Sequence, residues 1–366
     1  MTADSTHAPP VSATSVVVHD DPAAWDRLAA GLGAQPFQAW AWGDLKSRFG
    51  WQPRRLSAAD GRSAAQLLVR PYRGLAVAYV PRGPVVADGG PPDQQLLEQL
   101  VQLARSRRAA FLRLEPDVLE DDPRAPEWET VLREAGFRPA QRTLQPRSTI
   151  RLDLRPAPEA LLSSLSKGHR ADLRRAERDG VTVRTGTTEQ DVDLLHDMLR
   201  ATQARKSFSF HSAAYYRVLW RSFGDAARLL VAEHDGLPVA ASLVLAWGAH
   251  GTYLAAGSSA AGLERRAAHL LQWQAIRWAR ERGARTWDMW GIADARGRYE
   301  LALARGAERG SSEMARLEAE AQRDPLDGVY RFKKGWGGEV VRTVPAYDRV
   351  FVAPAYWYWQ WRRGEA

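Results

Sequence analysis

A basic, glycine-rich segment near the end of the chain carries residue types that could do chemistry. Residues 330–339 read Tyr-Arg-Phe-Lys-Lys-Gly-Trp-Gly-Gly-Glu. Glycine lets a backbone turn through positive φ and lets a ligand approach closely. Lysine is a compact cation that can meet a phosphate or a developing oxyanion. A strand that ends in an exposed basic turn is the alternative interpretation of the same residues.

The composition of the chain favours some classes of partner and excludes several kinds of site. The chain has 366 residues, 51 Lys and Arg against 43 Asp and Glu, a net charge of +8, and no cysteine. A basic balance favours polyanionic partners such as RNA, phosphate esters or an anionic membrane surface. Without cysteine there is no disulfide, no thiolate zinc site and no cysteine nucleophile. The eight histidines form no HxH or HExxH pattern, and no GxSxG or Walker sequence occurs, so we predict no metal site.

The sequence shows no targeting or membrane-spanning segment. Its first 20 residues lack an apolar run flanked by positive charge, and no stretch of about 18 apolar residues occurs. We therefore expect a cytoplasmic protein. Residues 1–14 are polar and rich in Pro, Ala and Ser, which predicts a disordered tail.

Apolar periodicity predicts the elements that must position the basic segment. The predicted helices cover residues 21–32, 37–49, 93–107, 128–135, 158–179, 190–206, 212–223, 262–282 and 302–322. The predicted strands cover residues 63–70, 75–80, 110–114, 148–154, 228–233, 237–247, 250–256 and 285–290.

The order of these elements repeats. Each half shows helices, then successive strands, then a helix and a strand. We therefore expect an α/β (α+β) protein with two tandem related domains, each a mixed sheet flanked by helices. The first domain is placed at residues 15–153 with 341–366, and the second at 154–340.

Four separated segments resemble the FemABX family, the aminoacyl-tRNA-dependent transferases that build peptidoglycan cross-bridges. A looser match is Thr202 and Arg205 ahead of Tyr215 and Tyr216. The matching order runs over about residues 37–350. The four segments are Phe-Gln-Ala-Trp at 37–40 with Lys46 and Trp51, Tyr-Val-Pro-Arg-Gly-Pro-Val at 79–85, Asp-Met-Trp-Gly-Ile at 288–292, and Phe-Lys-Lys-Gly-Trp-Gly-Gly at 332–338.

The resemblance implies a fold and a reaction. It implies two domains folded like the GNAT acetyltransferases, the first binding the acceptor and the second the aminoacyl-tRNA. It implies transfer of Gly, Ala or Ser from aminoacyl-tRNA to a side-chain amine of UDP-MurNAc-pentapeptide or of its lipid-linked form, lipid II. The long coiled-coil arm of some relatives is not visible, which favours similarity to the armless, FemX-like members. No cofactor is expected beyond the aminoacyl-tRNA co-substrate, and peripheral contact with the inner face of the membrane stays open.

The resemblance also suggests catalytic residues. Lys333 matches the motif lysine and would stabilise an oxyanion or meet a phosphate of the tRNA end. Phe332 would stack on the terminal adenine or fill the core. Glu115, at a strand end, would orient or deprotonate the acceptor ammonium.

Binding residues follow from the same comparison. Lys46 sits where the family has a lysine that meets the acceptor diphosphate, and Arg205 is a second candidate. Arg82, between two prolines, either enters the cleft or fixes its loop by bonding carbonyl groups. The basic run at 167–178 suits a tRNA backbone or is a solvated helix face. The remaining acceptor candidates are Tyr215, Tyr216, Tyr253 and Trp40, and the tRNA candidates are Lys334, Lys167, Arg170 and Arg174.

Two other functions stay open. A GNAT-type acyl-CoA N-acyltransferase would use the helix at 262–282, but the loop at 264–269 lacks the glycines that let a backbone cradle a pyrophosphate. A non-catalytic protein would bind RNA or a membrane surface through its charge and the aromatic tail at 356–363. That tail is otherwise a terminal helix that docks onto its own domain.

Overall fold

The computed structural model describes residues 16–205 and 209–362. The tail predicted to be disordered, residues 1–14, lies outside the described residues. Two mixed sheets, each flanked by helices, form the protein, as the sequence predicts.

The first sheet is built mainly from the N-terminal part of the chain. Its strands are ordered β1-β2-β3-β4-β6-β15-β7, with β5 paired to β3, and only the β4–β6 pair is parallel. These strands are β1 (Val16–Val18), β2 (Gln52–Ala58), β3 (Ser63–Tyr72), β4 (Leu75–Pro81), β5 (Val85–Val86), β6 (Ala109–Glu115), β7 (Arg138–Pro139) and β15 (Tyr347–Val350).

The second sheet has a similar plan. Its order is β14-β8-β13-β12-β11-β10-β9, and its parallel pair is β12–β13. That pair is joined only between residues 250–252 and 286–288, so the two strands separate beyond this point. The strands are β8 (Ser148–Asp153), β9 (Thr182–Thr185), β10 (Ala227–His234), β11 (Leu237–Trp247), β12 (His250–Ser258), β13 (Thr286–Gly291) and β14 (Glu339–Arg342).

Helices cover the faces of both sheets. In chain order they are α1 (Pro22–Gly31), α2 (Trp40–Ser47), α3 (Gln94–Ser106), α4 (Ala125–Glu134), α5 (Pro158–Ser164), α6 (Lys167–Arg178), α7 (Glu189–Gln203), α8 (Ala213–Phe223), α9 (Ala260–Glu264), α10 (Ala267–Glu281), α11 (Asp294–Ala304), α12 (Ser312–Gln322), α13 (Asp327–Lys334) and α14 (Ala353–Arg362). A short 3₁₀ turn, Pro36–Gln38, precedes α2. None of the helices described is long and apolar enough to cross a membrane.

Four predicted helices are interrupted. The predicted helix 37–49 begins as the 3₁₀ turn Pro36–Gln38 and starts again as α2 after Ala39, whose backbone is extended. Local backbone geometry explains the other three breaks. The predicted helix 158–179 is divided because Leu165 is extended and Ser166 caps a new helix by accepting a bond from the His169 amide. The predicted helix 262–282 is divided at Arg266, which adopts left-handed geometry with φ 57°. The predicted helix 302–322 consists of the end of α11 and a separate α12, which Ser311 caps.

The basic segment is helical where the alternative interpretation expected a strand. Lys333 and Lys334 end α13, and Gly335 follows as its C-cap. Gly337 has φ 81°, a left-handed geometry that glycine adopts without penalty. The chain then enters β14, so the glycines do form the predicted turn.

The core is divided among the two sheets and the region between them. One cluster lies between the first sheet and α3 and α4, and another between the second sheet and α6, α10 and α13. A third joins residues of both sheets through α2, α7 and α8, and includes Phe37, Tyr79 and Tyr215. This third cluster joins the two halves of the chain.

Sheet membership differs from the expected domain limits at β8 and at β14, whose Val341 and Arg342 were placed in the first domain but pair with β8 in the second sheet. The strand β8, placed in the first domain by the sequence, pairs with β13 and β14 of the second sheet. The strand β15, in contrast, returns to the first sheet as expected for residues 341–366. The tail forms α14, which docks on the first sheet through the bond from the Tyr356 hydroxyl to Asp348.

Candidate functional site

Lys333 is a buried cation at the end of α13. Its side chain is 7 % exposed, and Nζ donates hydrogen bonds to the carbonyl oxygens of Trp290 at 3.2 Å and Gly291 at 2.6 Å. These two bonds use two of the three N–H groups of an ammonium ion. Burial lowers the pKa of Lys333 to about 8, against the opposing effect of Asp288. The ammonium is thus held where β13 has separated from β12, with one donor available for another acceptor.

The carbonyls that hold Lys333 lie at an irregularity near the end of β13, which we call the β13 turn, where the register with β8 shifts between Asp288 and Gly291. Trp290 has φ 65°, an unusual conformation for a residue with a bulky side chain. The amide of Trp290 donates to Asp288 Oδ1 at 2.7 Å, which bridges the turn. Asp288 therefore acts on Lys333 twice, through its charge and through the turn that aims the carbonyls.

A buried ion network runs from this turn into the first sheet. Arg151 on β8 bonds Asp288 at 3.3 Å and Asp117 at 2.5 Å. Asp117 also receives a bond from Gln35 at 2.9 Å and lies 3.6 Å from Arg82. Burial alone would raise the pKa of Asp117, but Arg151 and Arg82 together lower it. The network joins the two sheets directly beneath the β13 turn.

Arg82 belongs to this network and does not enter an open cleft. It is 2 % exposed, and its guanidinium donates to the carbonyl oxygen of Pro146 at 2.7 Å. Of the two roles the sequence left open, the structure supports that of fixing the loop.

Lys46 forms a second cationic centre, on α2. Its Nζ donates to the Tyr215 hydroxyl at 2.9 Å and lies 4.6 Å from the centre of the Trp42 ring. Burial and the nearby Arg70 lower the pKa of Lys46 to about 8. His211 stacks on Tyr215 with ring centres 3.8 Å apart, and burial followed by the charge of Lys46 lowers the His211 pKa.

Aromatic rings connect the two cationic centres. The Trp290 ring stacks on Phe37 with centres 5.1 Å apart, and Phe37 meets Trp42 edge to face at 4.7 Å. Trp290 supplies a carbonyl to Lys333, and Trp42 lies under Lys46. The tertiary structure thus brings the two predicted lysines to the two ends of one aromatic row. A ligand with two separated anionic groups would match this arrangement.

Glu115 is buried, and both of its carboxylate oxygens accept hydrogen bonds. Its carboxylate accepts hydrogen bonds from the Tyr79 hydroxyl at 2.6 Å and from the amides of Leu144 and Gln145. Burial raises the pKa of Glu115, against the effect of these bonds. Its bonds hold the 144–145 loop on the end of β6, and a role as base would require one of them to break.

Phe332 points into a different cluster from its neighbour Lys333. Its ring lies 5.7 Å from that of His169, 5.2 Å from His269 and 6.1 Å from Trp336. His169 Nε2 lies 2.7 Å from the Phe332 carbonyl oxygen. Burial, followed by the field of His169, lowers the pKa of His269 to about 4. The cluster packs α13 against α6 and α10, and Phe332 stays partly exposed within it.

The other acceptor candidates are not all brought together. Tyr216 meets Tyr215 edge to face at 6.0 Å, next to Lys46. Tyr253 packs with the core of the second sheet, on the side of Phe332 and Trp336. Arg205 is exposed and bonds the carbonyl of Ser258 at 2.6 Å, which ties the end of α7 to the end of β12.

Trp40 lies apart from Lys46. Its ring stacks under the guanidinium of Arg55 at 3.4 Å, in the cluster that packs α1 on the first sheet. Nothing in this placement directs the ring toward Tyr215, so Trp40 serves the packing of α1.

The predicted tRNA-binding residues lie on or near α6. Lys167 and Arg174 are exposed, as is Lys334 at the end of α13. Arg170 instead donates to the carbonyls of Ser163 and Leu165, which holds the break between α5 and α6.

Sequence reasoning missed several members of the site. Asp288, Trp290 and Phe37 lie in segments quoted for the resemblance, but no role was assigned to them. Arg151 and Asp117 carried no sequence signal, because an ion pair between distant strands shows only in the folded chain. Among the described residues, no cluster of three His, Asp or Glu side chains could hold a metal ion.

Comparison with known proteins supports the resemblance found in the sequence. The chain is 27% identical over 297 residues to the UDP-N-acetylmuramoylpentapeptide-lysine N(6)-alanyltransferase of Weissella viridescens, covering 75% of this chain and 85% of that protein. It is 25% identical over 206 residues to the lipid II:glycine glycyltransferase of Staphylococcus aureus, covering 52% of this chain and 48% of that protein.

Structure comparison agrees on the fold. The crystal structure of FemX superimposes with a TM-score of 0.77 at 18% identity, covering 94% of this chain and 99% of that one. This confirms the predicted α/β class with two mixed sheets. Residues 135–236 and 233–360 match the sequence model of the FemAB family, so the chain is a member of the FemAB family.

Proposed function

We propose that the protein transfers a small amino acid, Gly, Ala or Ser, from aminoacyl-tRNA to a side-chain amine of a peptidoglycan precursor. The acceptor would be UDP-MurNAc-pentapeptide or lipid II. Family membership supports the reaction class, and the two relatives compared above are named as an alanyltransferase acting on UDP-N-acetylmuramoylpentapeptide lysine and a glycyltransferase acting on lipid II. A cytoplasmic location, peripheral contact with the membrane and the absence of a cofactor belong to the same proposal.

The buried ammonium of Lys333 is the observation that carries the proposal. Burying a cation is costly unless it is bonded, and here two backbone carbonyls bond it. A purely structural role at this helix end would be served by an apolar side chain. A fixed, partly satisfied cation is what an oxyanion or a phosphate requires.

In the proposed reaction, Lys333 stabilises the oxyanion that forms on the ester carbonyl. The acceptor amine, in its neutral form, attacks the ester carbonyl carbon of the aminoacyl-tRNA, and a C–N bond forms. The carbonyl oxygen becomes an oxyanion, to which the third N–H of Lys333 would donate. When the intermediate collapses, the bond to the terminal ribose oxygen breaks, and the proton lost by the amine neutralises that oxygen. The products are an amide and a free tRNA end.

Lys46 suits the phosphate groups of the acceptor. Its charge is set among the Trp42, Tyr215 and His211 rings, with Arg70 close enough to lower its pKa. A diphosphate near both cations would restore the pKa of Lys46 toward its ordinary value. The peptide would then extend from Lys46 toward Lys333.

A direct transfer assay tests the proposal. Radiolabelled Gly, Ala or Ser on tRNA is offered with UDP-MurNAc-pentapeptide and separately with lipid II, while acetyl-CoA is offered as an alternative donor. We expect label on the acceptor with the native protein, and a loss of about 10²–10³ in rate for Lys333→Met. Arg331→Met is the matched control, because Arg331 is an exposed cation of the same helix α13 to which no binding role is assigned. Acetyl-CoA consumption without transfer from tRNA would replace this function with acyl-CoA chemistry.

A further inference from the structure

Exposed apolar side chains are concentrated at one place on the protein. Among the described residues, ten large apolar side chains are exposed, and six of them form what we call the aromatic-helix surface. Trp357 is 62% and Trp361 58% exposed, which is unusual for tryptophan. The six residues are Tyr72, Val350, Val352, Trp357, Tyr358 and Trp361.

The helix α14 is firmly seated, so its exposed face is a property of the fold. The Tyr356 hydroxyl donates to Asp348 at 2.9 Å, and Asp348 is held by a two-bond ion pair with buried Arg113. Trp359 meets Phe111 at 4.7 Å and lies over Arg113. These contacts use one side of α14. Trp357 and Trp361, four residues apart, lie together on the other side.

Three chain segments meet beside this helix at one end of the first sheet. The Ala76 amide donates to the carbonyl of Arg108 at 2.9 Å, which joins the β3–β4 turn to the α3–β6 turn. The Val352 amide donates to the carbonyl of Ala110 at 2.9 Å, which joins the start of α14 to the same place. Tyr72 pairs with Leu75, which packs in the same cluster as Tyr356. The six exposed side chains therefore belong to one region.

The region is strongly basic. The three segments, residues 70–76, 105–109 and 349–362, contain seven arginines and no Asp or Glu. Arg73, Arg107 and Arg108 are exposed at this end of the sheet. Arg105, which lies 4.8 Å over the ring of Phe351, and Arg349, which bonds the Ala135 carbonyl, lie instead on the opposite face of the sheet, with α3 and α4. Exposed tryptophan and tyrosine rings beside arginines match the interface of a membrane with anionic lipids.

The surface lies on the same face of the first sheet as the Lys46 centre. Side chains alternate along a strand, so Leu75, Val77 and Tyr79 of β4 share one face. Leu75 and Val77 pack with α14, whereas Tyr79 packs with the cluster that holds Tyr215. The aromatic-helix surface and the Lys46 centre thus adjoin across a few residues of β4.

We propose that the aromatic-helix surface docks on an anionic lipid bilayer. The exposed tryptophan, tyrosine and valine side chains enter the interface between the headgroups and the acyl chains, and the arginines meet lipid phosphates. Base stacking would explain the rings but not the exposed Val350 and Val352, which favours lipid over RNA. This docking does not require the transferase activity. Together with the proposed function it would present the Lys46 centre to a lipid-linked acceptor.

Vesicle binding tests the docking. The full chain is sedimented with vesicles of phosphatidylglycerol and phosphatidylcholine in equal amounts, and with phosphatidylcholine alone. We expect binding to the anionic vesicles only, weakened by added salt. The double variant Trp357→Ser/Trp361→Ser should bind at least about tenfold more weakly, because two large apolar side chains no longer enter the interface. Circular dichroism would confirm that the variant is folded.

A second double variant, on the other sheet, serves as the control. The double variant Leu237→Ser/Leu263→Ser removes exposed leucines of the second sheet and its helix α9, and should bind vesicles like the native chain. Equal loss in both double variants, equal binding to both kinds of vesicle, or no binding at all would overturn the proposal. Binding to uncharged tRNA that the tryptophan variant alone loses, without vesicle binding, would assign the surface to RNA. Transfer to UDP-MurNAc-pentapeptide, measured in parallel, reports on the proposed function separately.

Discussion

Replacing Lys333 with Met should change the pH dependence of stability in a predictable direction. Lys333 is 7 % exposed and its pKa falls from 10.5 to about 8 in the folded protein. Between these two pH values the unfolded chain binds more protons than the folded chain. The free energy of unfolding contributed by Lys333 therefore increases as pH rises.

The magnitude follows from the two pKa values. At pH well below 8, burying the ammonium costs about 3 kcal/mol relative to an unperturbed lysine. Most of the recovery lies above pH 8. Between pH 7 and pH 9 the native protein should gain about 1.4 kcal/mol that Lys333→Met does not gain. Lys46 has a similar pKa but is present in both proteins, so its contribution cancels in the difference.

Urea unfolding followed by tryptophan fluorescence measures this difference. The 15 tryptophans provide a strong signal, and the comparison is made at pH 7, 8 and 9 for the native protein, Lys333→Met and Lys334→Met. We expect the native protein and Lys334→Met to show parallel curves, while Lys333→Met diverges from both. If the curve of Lys333→Met runs parallel to the native curve, Lys333 is not a buried cation, and the argument for its role fails.

Three further predictions concern the site. Arg151→Leu would leave buried Asp288 without its arginine partner and Asp117 with only Arg82 and Gln35, and should lower the free energy of unfolding by about 3–5 kcal/mol. The exposed Arg155→Leu should change it little, and urea unfolding measures both. Asp288→Asn keeps an oxygen for the Trp290 amide but removes a charge that raises the pKa of Lys333. The loss of transfer activity at alkaline pH should therefore move below pH 8, and an unchanged pH–rate profile would contradict the electrostatic role of Asp288. Lys46→Met should raise KM for the acceptor about 10- to 100-fold with kcat nearly unchanged, because it removes a contact with the acceptor phosphates that is equally strong in the bound substrate and in the transition state. A fall in kcat alone would place Lys46 elsewhere in the mechanism.

Much of the fold was predictable from local pattern. The helices α3, α7 and α8 and the strands β3, β4, β11 and β12 were predicted because apolar periodicity and turn residues mark them strongly. The short strands β1, β5, β7, β9, β14 and β15 were missed, since two to four residues carry no measurable period, and the seven-residue β2 was missed as well. The breaks at Leu165 and Arg266 were missed because the apolar pattern continues across them.

The site was predictable only in part. Lys333, Lys46, Tyr215 and Tyr216 were named from the resemblance, and the fold places the two lysines at opposite ends of one aromatic row. Trp40, named in the same way, packs instead against Arg55.

The sequence by itself determined the fold class, the family and the residues able to carry charge to the site, because these depend on residue type and on order along the chain. Only the tertiary structure decided which of those charges are buried and what they contact. The β13 turn and α13 are 42 residues apart between Gly291 and Lys333, and Arg151 is 34 residues from Asp117. Burial and electrostatic fields depend on distances in space, and these distances are set by sheet topology and packing, which no local pattern records.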